Sequence, residues 1–236
     1  SEAERKLLTE LGVPVSPAAL GPADLPPVSD GSGQDRKLLL EASKLLDEAG
    51  WKIKNGVRVN DKGEPLKVEL LNFEPAFERV NAPYVKNLQL LGIDAKMRMV
   101  DPAQYQQRMK NFDFDITSQR YTMRDTPGVE LRSYFGSDAA KIDGSLNLAG
   151  ISDSAVDVLI ERVIAAKSRD ELTTASRALD RVLRAGQYWV PHWYKPSNNI
   201  AYWDRFSRPE TKPRYDRGVL DTWWYDKDKA AKLEAK

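Results

Sequence analysis

Between residues 66 and 121, segments of strand character alternate with segments of helical character, and no other feature of the sequence constrains the fold as strongly. Strands are predicted in LKVELLNF (66–73), IDAKMRMV (93–100) and FDFDITSQRY (112–121). One helix is predicted at residues 75–91 and ends before Gly92, and a second is predicted at residues 101–109 and begins with Asp-Pro. This order predicts an α/β fold with crossover connections, in which helices flank a mixed sheet.

Outside this region, caps and helical spacing predict four further helices, at residues 2–11, 38–49, 154–166 and 169–185. Asp35 can cap the second of them and Gly50 can end it. Residues 12–33 are rich in Pro, Gly and Ser, which is typical of a surface connector. An aromatic strand is predicted in YWVPHWY (188–194), and the aromatic tail after it needs a surface to pack against.

The composition excludes several classes of function. Lysine and arginine total 36 and aspartate and glutamate 35, so no global field selects nucleic acid or an anionic membrane. The absence of cysteine and the single histidine exclude disulfides, thiolate metal sites and multi-histidine zinc sites, and no cofactor is expected. No apolar run is long enough for direct membrane insertion, and any export signal would have to lie upstream.

Residues that could suggest catalysis or metal binding are interpreted as structural. Asp113 and Asp115 alternate on one face of a predicted strand, without further oxygen ligands at calcium-loop spacing. Asp153 is placed to cap a helix. His192 follows Pro191 in an apolar segment, where a packed, hydrogen-bonded ring is expected more often than a general base.

Longer stretches of the sequence resemble one known family. They are LLDEAGW, VNDKGEPLKVELL, FERVNAPYVKNLQLLGIDAKMRMVDPAQYQQRMKNFDFDI, NLAGISDSAVDVLIE and RALDRVLRAGQYWVPHWY. They resemble the C-terminal half of the extracellular solute-binding proteins of oligopeptide and dipeptide ABC transporters. The words FERV, GIDAK, LNLAGI, RALDRVL, AYWDRF and TWWYD are most similar to the YejA-type branch, and the resemblance runs from about Asp30 onward.

This resemblance implies the second lobe of a two-lobe periplasmic binding protein of type II, peptide-binding class. Such a protein captures peptides or peptide-like solutes in the periplasm by lobe closure, and it is not an enzyme. Its partners are the permease and ATPase subunits of the importer and the missing N-terminal lobe. We therefore expect a connector at residues 1–35, a ligand-binding lobe at residues 36–190, and a segment at residues 191–236 that returns toward the first lobe.

The resemblance also implies candidate ligand contacts, in the strand after the Tyr-x-x-Arg helix and in the loop that follows it. The candidates there are Gln119, Arg120, Tyr121, Arg124 and Asp125. In the relatives, an aspartate of this loop receives the α-ammonium group of the peptide, and Met123 stands at the matching position here. Asp125 could serve after a small loop shift, or Arg120, Arg124 or Arg132 could receive a carboxylate or phosphate. Solvated loop charges are the alternative interpretation.

Four more residues are singled out by the resemblance. Arg108 could point from the end of its helix toward the ligand, although a surface helix arginine is an equal alternative. Trp193 and Tyr194 match a segment that places aromatic rings against the ligand, with packing at the lobe junction as the alternative. Asn147, in SLNLAGI, is expected to hold the geometry of its loop.

Two other classes of function stay open at this point. A peptide or glycoside hydrolase would use paired carboxylates such as Asp115 and Asp125. A protein-interaction module would use the aromatic tail to dock a partner.

Overall fold

The computed structural model describes residues 1–123, 126–197, 199–214 and 219–234. The chain forms two compact units, Ser1–Val190 and Pro191–Lys236. The helices of the first unit are α1 (Glu2–Thr9), α2 (Pro17–Leu20), α3 (Arg36–Glu48), α4 (Pro75–Leu90), α5 (Pro102–Lys110), α6 (Glu130–Phe135), a 3₁₀ helix (Ser137–Lys141), α7 (Ser154–Ile164) and α8 (Arg169–Ala185). Its strands are β1 (Lys52–Lys54), β2 (Val57–Val59), β3 (Lys67–Asn72), β4 (Asp94–Met99) and β5 (Ile116–Thr117).

The central sheet has the strand order β4-β3-β5 and is parallel throughout. The chain leaves β3 through α4 to reach β4, and it then passes through α5 to β5 on the other side of β3. The predicted crossover connections are therefore present and the α/β class is confirmed, while this sheet is parallel and not mixed as predicted. The antiparallel pair β1–β2 forms a separate small sheet.

The helices around the sheet begin and end at the signals that the sequence carries. In α4, Pro75 occupies the first turn, and Gly92 follows the helix with a φ of +83°. The carboxylate of Asp101 accepts the backbone N–H groups of Ala103 and Gln104, which caps α5. The core between α4 and the sheet consists of Leu70, Val85, Ile93 and Ala95.

Strand β5 is much shorter than predicted. Of residues 112–121, only Ile116 and Thr117 pair with β3. Phe112 has a φ of +54°, so the chain is still turning before the strand. After Thr117 the neighbouring strand ends, because β3 stops at Asn72 and α4 begins at Pro75. The backbone after Thr117 therefore has no strand of this sheet to pair with.

A second core in the first unit is helical. It is formed by α1, α2, α6, α7 and α8 around fully buried residues such as Ile151, Val156 and Leu159. The segment that the sequence presents as a connector contributes Leu8, Leu11 and Ala19 to this core. The proline- and glycine-rich composition does not predict this packing, because the packing depends on only three apolar side chains in and beside two short helices.

The β1–β2 pair is anchored by a guanidinium that is completely buried. Arg58 is 0% exposed and donates to the carbonyl oxygens of Trp51, Leu91 and Ser43. It also forms an ion pair with Asp47, with 2.6 Å between Nη1 and Oδ1. These contacts join α3, the hairpin and the end of α4.

The second unit contains β6 (Phe206–Ser207), α9 (Val219–Thr222), β7 (Trp224–Tyr225) and α10 (Lys227–Glu234). Strands β6 and β7 form an antiparallel pair.

The prediction of an aromatic strand at residues 188–194 is wrong, because these residues form no strand in the structure. Pro191 removes a backbone donor from their middle, and no other described strand pairs with them. None of the described helices combines the length and apolar character needed to cross a lipid bilayer.

Candidate functional site

The carboxyl ends of β3 and β5 form the candidate site. These two strands are neighbours, yet the connection after β3 leads to β4 on one side, while β5 lies on the other side. In open α/β sheets, ligands bind outside the carboxyl ends of the strands where the order reverses in this way. The residues that follow the two strands are Phe73 and Ser118.

An aromatic pair lies at this edge. The rings of Phe73 and Tyr105 have centroids 4.5 Å apart and an interplanar angle of 40°. Tyr105 is half-buried on α5, whereas Phe73 remains 39% exposed. The pair therefore presents an apolar surface to solvent beside the two strand ends.

The hydroxyl of Tyr105 holds the end of β5. It lies 2.9 Å from Thr117 Oγ1, and Thr117 Oγ1 in turn donates to the carbonyl oxygen of Leu71 at 3.3 Å. Since Thr117 uses its only proton on Leu71, Tyr105 donates to Thr117. The carbonyl oxygen of Ser118 also lies within 3.4 Å of the Tyr105 hydroxyl.

The segment after β5 carries three of the predicted residues. Gln119 and Arg120 are exposed, and within the described part of the chain their backbone groups make no hydrogen bond to other backbone. Backbone N–H and C=O groups without backbone partners are what an added peptide strand would use. This segment therefore offers a template for backbone pairing at the carboxyl edge.

Tyr121 is directed into the helical core. Its ring packs against Tyr134 at 5.4 Å, Phe135 at 5.8 Å and Trp189 at 6.1 Å, measured between centroids. Its hydroxyl donates to the carbonyl oxygen of Leu146 at 3.4 Å, and burial raises the pKa of the phenol. These contacts give Tyr121 a packing role that anchors the segment of Gln119 and Arg120.

Arg108 lies away from this edge, on the side where β5 begins. Its Nη2 is 2.7 Å from Glu69 Oε1, and its Nε is 3.0 Å from Asp113 Oδ2. The hydrogen bond that Arg108 donates to the carboxylate of Glu69 is the main cause that raises the pKa of the guanidinium. Asp115 Oδ2 accepts the backbone N–H of Glu69 at 2.8 Å. These four charged side chains thus hold α5, β3 and the start of β5 together.

Of the remaining charged candidates, the described one, Arg132, is paired outside the site. Arg132 donates through Nε and Nη2 to the two carboxylate oxygens of Glu161, both at 2.7 Å. Arg124 and Asp125 lie outside the described residues. Within the described part, no group of three or more histidine, cysteine, aspartate or glutamate residues is arranged to hold a metal ion.

Trp193 and Tyr194 belong to the second unit and are 65% and 82% exposed. The ring of His192 is stacked on that of Trp193, with centroids 5.3 Å apart and an angle of 17°. His192 itself is exposed, in contrast to the packed environment expected from its apolar neighbours.

Two structural interpretations are confirmed. Asn147 is 0% exposed, donates to the carbonyl oxygens of Gly136 and Ile151, and accepts the N–H of Ile151. The carboxylate of Asp153 accepts the N–H of Ala155 and caps α7.

Phe73 and Tyr105 are the residues that sequence reasoning missed. Phe73 carries a usable signal, because it directly follows a predicted strand whose carboxyl end should face a ligand. Tyr105 carries none, since its contact with Thr117 depends on how α5 lies across the sheet.

The chain is similar to known bacterial proteins. Residues 5–142 match the family model for the middle region of bacterial extracellular solute-binding proteins, family 5. An uncharacterized protein, y4wM, from Sinorhizobium fredii is 43% identical over 222 residues, which cover 94% of this chain and 34% of that protein. A probable peptide-binding protein, YejA, from Agrobacterium fabrum is 42% identical over 225 residues, which cover 95% of this chain and 37% of that protein.

The fold has solved counterparts. The oligopeptide-binding protein AppA from Bacillus subtilis, in complex with a nonapeptide, has a TM-score of 0.60 and 18% identity; the match covers 96% of this chain and 48% of AppA. Such a likeness shows the fold, which is that of the peptide-binding class of type II periplasmic binding proteins. The chain spans about a third of the length of the curated relatives it matches.

Proposed function

We propose that this chain, which belongs to the bacterial extracellular solute-binding proteins of family 5, supplies the second lobe of a two-lobe protein that delivers solute to an ABC importer. The observation that carries the proposal is the open carboxyl edge of the sheet. There the exposed backbone of Gln119 and Arg120 lies beside the aromatic pair of Phe73 and Tyr105. The ligand class is peptides or peptide-like solutes.

The chemistry of this edge suits a peptide. A peptide backbone repeats one donor and one acceptor per residue, so it can pair with the unpaired groups after β5 as an added strand. This mode fixes the backbone and leaves the side chains largely unselected. AppA, whose fold is similar, was solved with a nonapeptide, and the YejA of A. fabrum is named a probable peptide-binding protein.

Capture follows from lobe closure. When contacts are divided between two lobes, only the closed form makes all of them, so the ligand shifts the population toward closure. The complementary lobe is supplied by the part of the protein outside residues 1–236. A permease and an ATPase in the inner membrane then receive the solute from the periplasmic binding protein. ATP hydrolysis is assigned to the partner ATPase, because this chain carries no phosphate-binding loop of the GxxxxGK[ST] kind.

Residues 191–236 return toward the first lobe in this account, while residues 36–190 form the ligand-binding lobe and residues 1–35 the connection into it. The exposed rings of the second unit support the return path. Trp203 is 70% exposed and Trp224 is 51% exposed, so large apolar surfaces there remain to be covered. Trp193 and Tyr194 contribute rings to the ligand side of the same segment.

Gln119 and Arg120 are the residues of the first unit proposed to contact ligand. Arg120 offers paired guanidinium donors for a ligand carboxylate. Arg124 and Asp125 extend the same segment, and Asp125 is the proposed acceptor for an α-ammonium group. Arg108 is the weaker candidate, because Glu69 and Asp113 already occupy its donors.

Solute binding without catalysis is consistent with the contacts that the carboxylates of Asp113 and Asp115 make. The family and the fold are those of binding proteins. Asp113 is paired with Arg108, and Asp115 accepts the backbone N–H of Glu69, so both carboxylates have structural contacts that require no catalytic role. A hydrolase would instead turn over a peptide or glycoside panel and lose that activity on Asp115→Asn or Asp125→Asn substitution.

The experiment uses the full-length protein that contains residues 1–236. Mass spectrometry of small molecules that copurify with it identifies the bound solute, and calorimetry then measures its affinity. Gln119→Pro and Arg120→Pro each remove one backbone donor, and the matched Ala variants keep it. We expect at least one proline variant to bind peptide about tenfold more weakly than its alanine control. Unchanged affinity in both proline variants would contradict strand addition at this edge.

A further inference from the structure

We infer that Phe73 selects ligands that carry an apolar side chain, and that Tyr105 is the residue that positions it. This inference rests on the proposed function, because it assigns a specificity to the same edge of the sheet. Backbone pairing after β5 does not distinguish one peptide from another. Discrimination must come from a side chain that meets one side chain of the ligand.

The backbone around Phe73 is fixed on both sides. Asn72 is buried, its Oδ1 accepts the N–H of Glu74 at 3.2 Å, and its Nδ2 donates to the carbonyl oxygen of Glu74 at 3.1 Å. The carbonyl oxygen of Asn72 accepts the N–H of Val100 at 2.9 Å, which ties this point to the end of β4. A residue held in this way keeps its direction without a ligand.

The ring of Phe73 is supported from below by a second ring. Tyr105 packs against it at 4.5 Å and is itself fixed through its hydroxyl to Thr117. Because a ring with two χ angles loses little freedom when it is already packed, contact with a ligand costs little additional entropy. The same hydroxyl donates to Thr117, the last residue of β5, so the ring pair is connected to the strand from which the pairing segment continues.

The exposure of Phe73 indicates which kind of ligand side chain it would contact. A phenylalanine directly after a buried strand gains most by entering the core, yet 39% of Phe73 remains exposed to solvent. An aliphatic or aromatic ligand side chain would remove this apolar surface from water, whereas a charged or small side chain would not. Phe73 is thus matched to one apolar position of a bound peptide.

The test is a positional scan in the full-length protein. Calorimetry measures the affinity of alanine-based tetrapeptides in which a single leucine is moved through each position. For the wild type we expect one position where leucine binds about tenfold more tightly than alanine. Phe73→Ala should reduce that ratio to about twofold or less, and Phe73→Leu should retain part of it.

Tyr105→Phe keeps the ring and removes the hydroxyl, so it should lower the leucine preference at that same position only. Preferences at the other positions and the folded fraction of each variant serve as controls, since a merely structural role would weaken all peptides equally. An unchanged ratio in Phe73→Ala, or an equal loss at every position, would overturn the inference. If the wild type binds none of the peptides, the proposed function fails first and the inference falls with it.

Discussion

The hydroxyl of Tyr105 lies 2.9 Å from Thr117 Oγ1 and so connects helix α5 to the last residue of the strand that precedes the candidate peptide-pairing segment. Thr117 passes the hydrogen bond on to Leu71 in the neighbouring strand. Helix α5 and the ends of strands β3 and β5 are therefore linked through two side chains.

The first prediction concerns this link. Tyr105→Phe removes one partly buried hydrogen bond and should lower the free energy of unfolding by about 0.5–1.5 kcal/mol. Thr117→Val removes the same bond together with the bond to Leu71, so it should cost more. The double variant should cost less than the sum, because both single variants remove the Tyr105–Thr117 bond. Urea denaturation of the four proteins measures this coupling. Strictly additive losses would show that the two groups act independently.

The second prediction concerns Arg58. Its guanidinium is 0% exposed and contacts Asp47 together with three backbone carbonyl groups, so Arg58→Met leaves these oxygens without donors. We expect a loss of about 3–5 kcal/mol in the free energy of unfolding. Arg79, an exposed arginine on α4, provides the matched control, and Arg79→Met should change stability by less than about 0.5 kcal/mol. Equal effects in the two variants would contradict the anchoring role.

The third prediction concerns Asn147. Asn147→Asp keeps the shape but replaces the donor to Gly136 and Ile151 with an acceptor, in a position that is fully buried. Each buried group left unpaired costs about 1–3 kcal/mol, so thermal denaturation should show a clear decrease in Tm. Asn111→Asp, at the exposed C-cap of α5, is the control and should leave Tm nearly unchanged. A wild-type Tm for Asn147→Asp would refute the bracing of this loop.

The fourth prediction concerns pH. The hydrogen bonds from Arg132 hold the pKa of Glu161 below its ordinary value. A depressed folded-state pKa means that the stabilisation is complete above the unfolded pKa, about 4.3, and is lost as pH falls through the folded value. NMR titration should show Glu161 ionised below that ordinary range, and Arg132→Gln should return its pKa upward. No upward shift in Arg132→Gln would show that the pair does not persist in solution.

Local signals in the sequence predict most of the first unit. Asp35, Asp101 and Asp153 each accept backbone N–H groups at the start of a helix, as the short polar side chains before apolar runs indicated. The parallel strands β3 and β4 also lie where the sequence predicts them, β3 from its β-branched and apolar content and β4 from its alternation. Caps and periodicity act over a few residues, so they are legible without knowledge of the tertiary structure.

The errors arise where the outcome depends on distant partners. Strand β5 stops at Thr117 because β3 ends, and residues 188–194 form no strand, since nothing described pairs with them. Leu8 and Leu11 belong to a helical core although a proline-rich stretch follows them. In each case the decisive contact comes from a residue far away in the chain, which composition and spacing cannot reveal.

The candidate site shows the same division. The family resemblance predicts Gln119 and Arg120 as ligand contacts, and both lie at the carboxyl edge. Arg108, which the resemblance also predicts, instead forms ion pairs with Glu69 and Asp113 at the other end of β5. The sequence contains all of these charges. Only the geometry shows which of them already have partners.

The most direct test of the two-lobe account is calorimetry with one peptide on two proteins. A peptide that binds the full-length protein is titrated into residues 1–236 alone under the same conditions. We expect measurable binding by the full-length protein and little or none by residues 1–236, because closure against the other lobe supplies much of the binding energy. Equally tight binding by residues 1–236 alone would contradict the claim that this chain is one half of a closing pair.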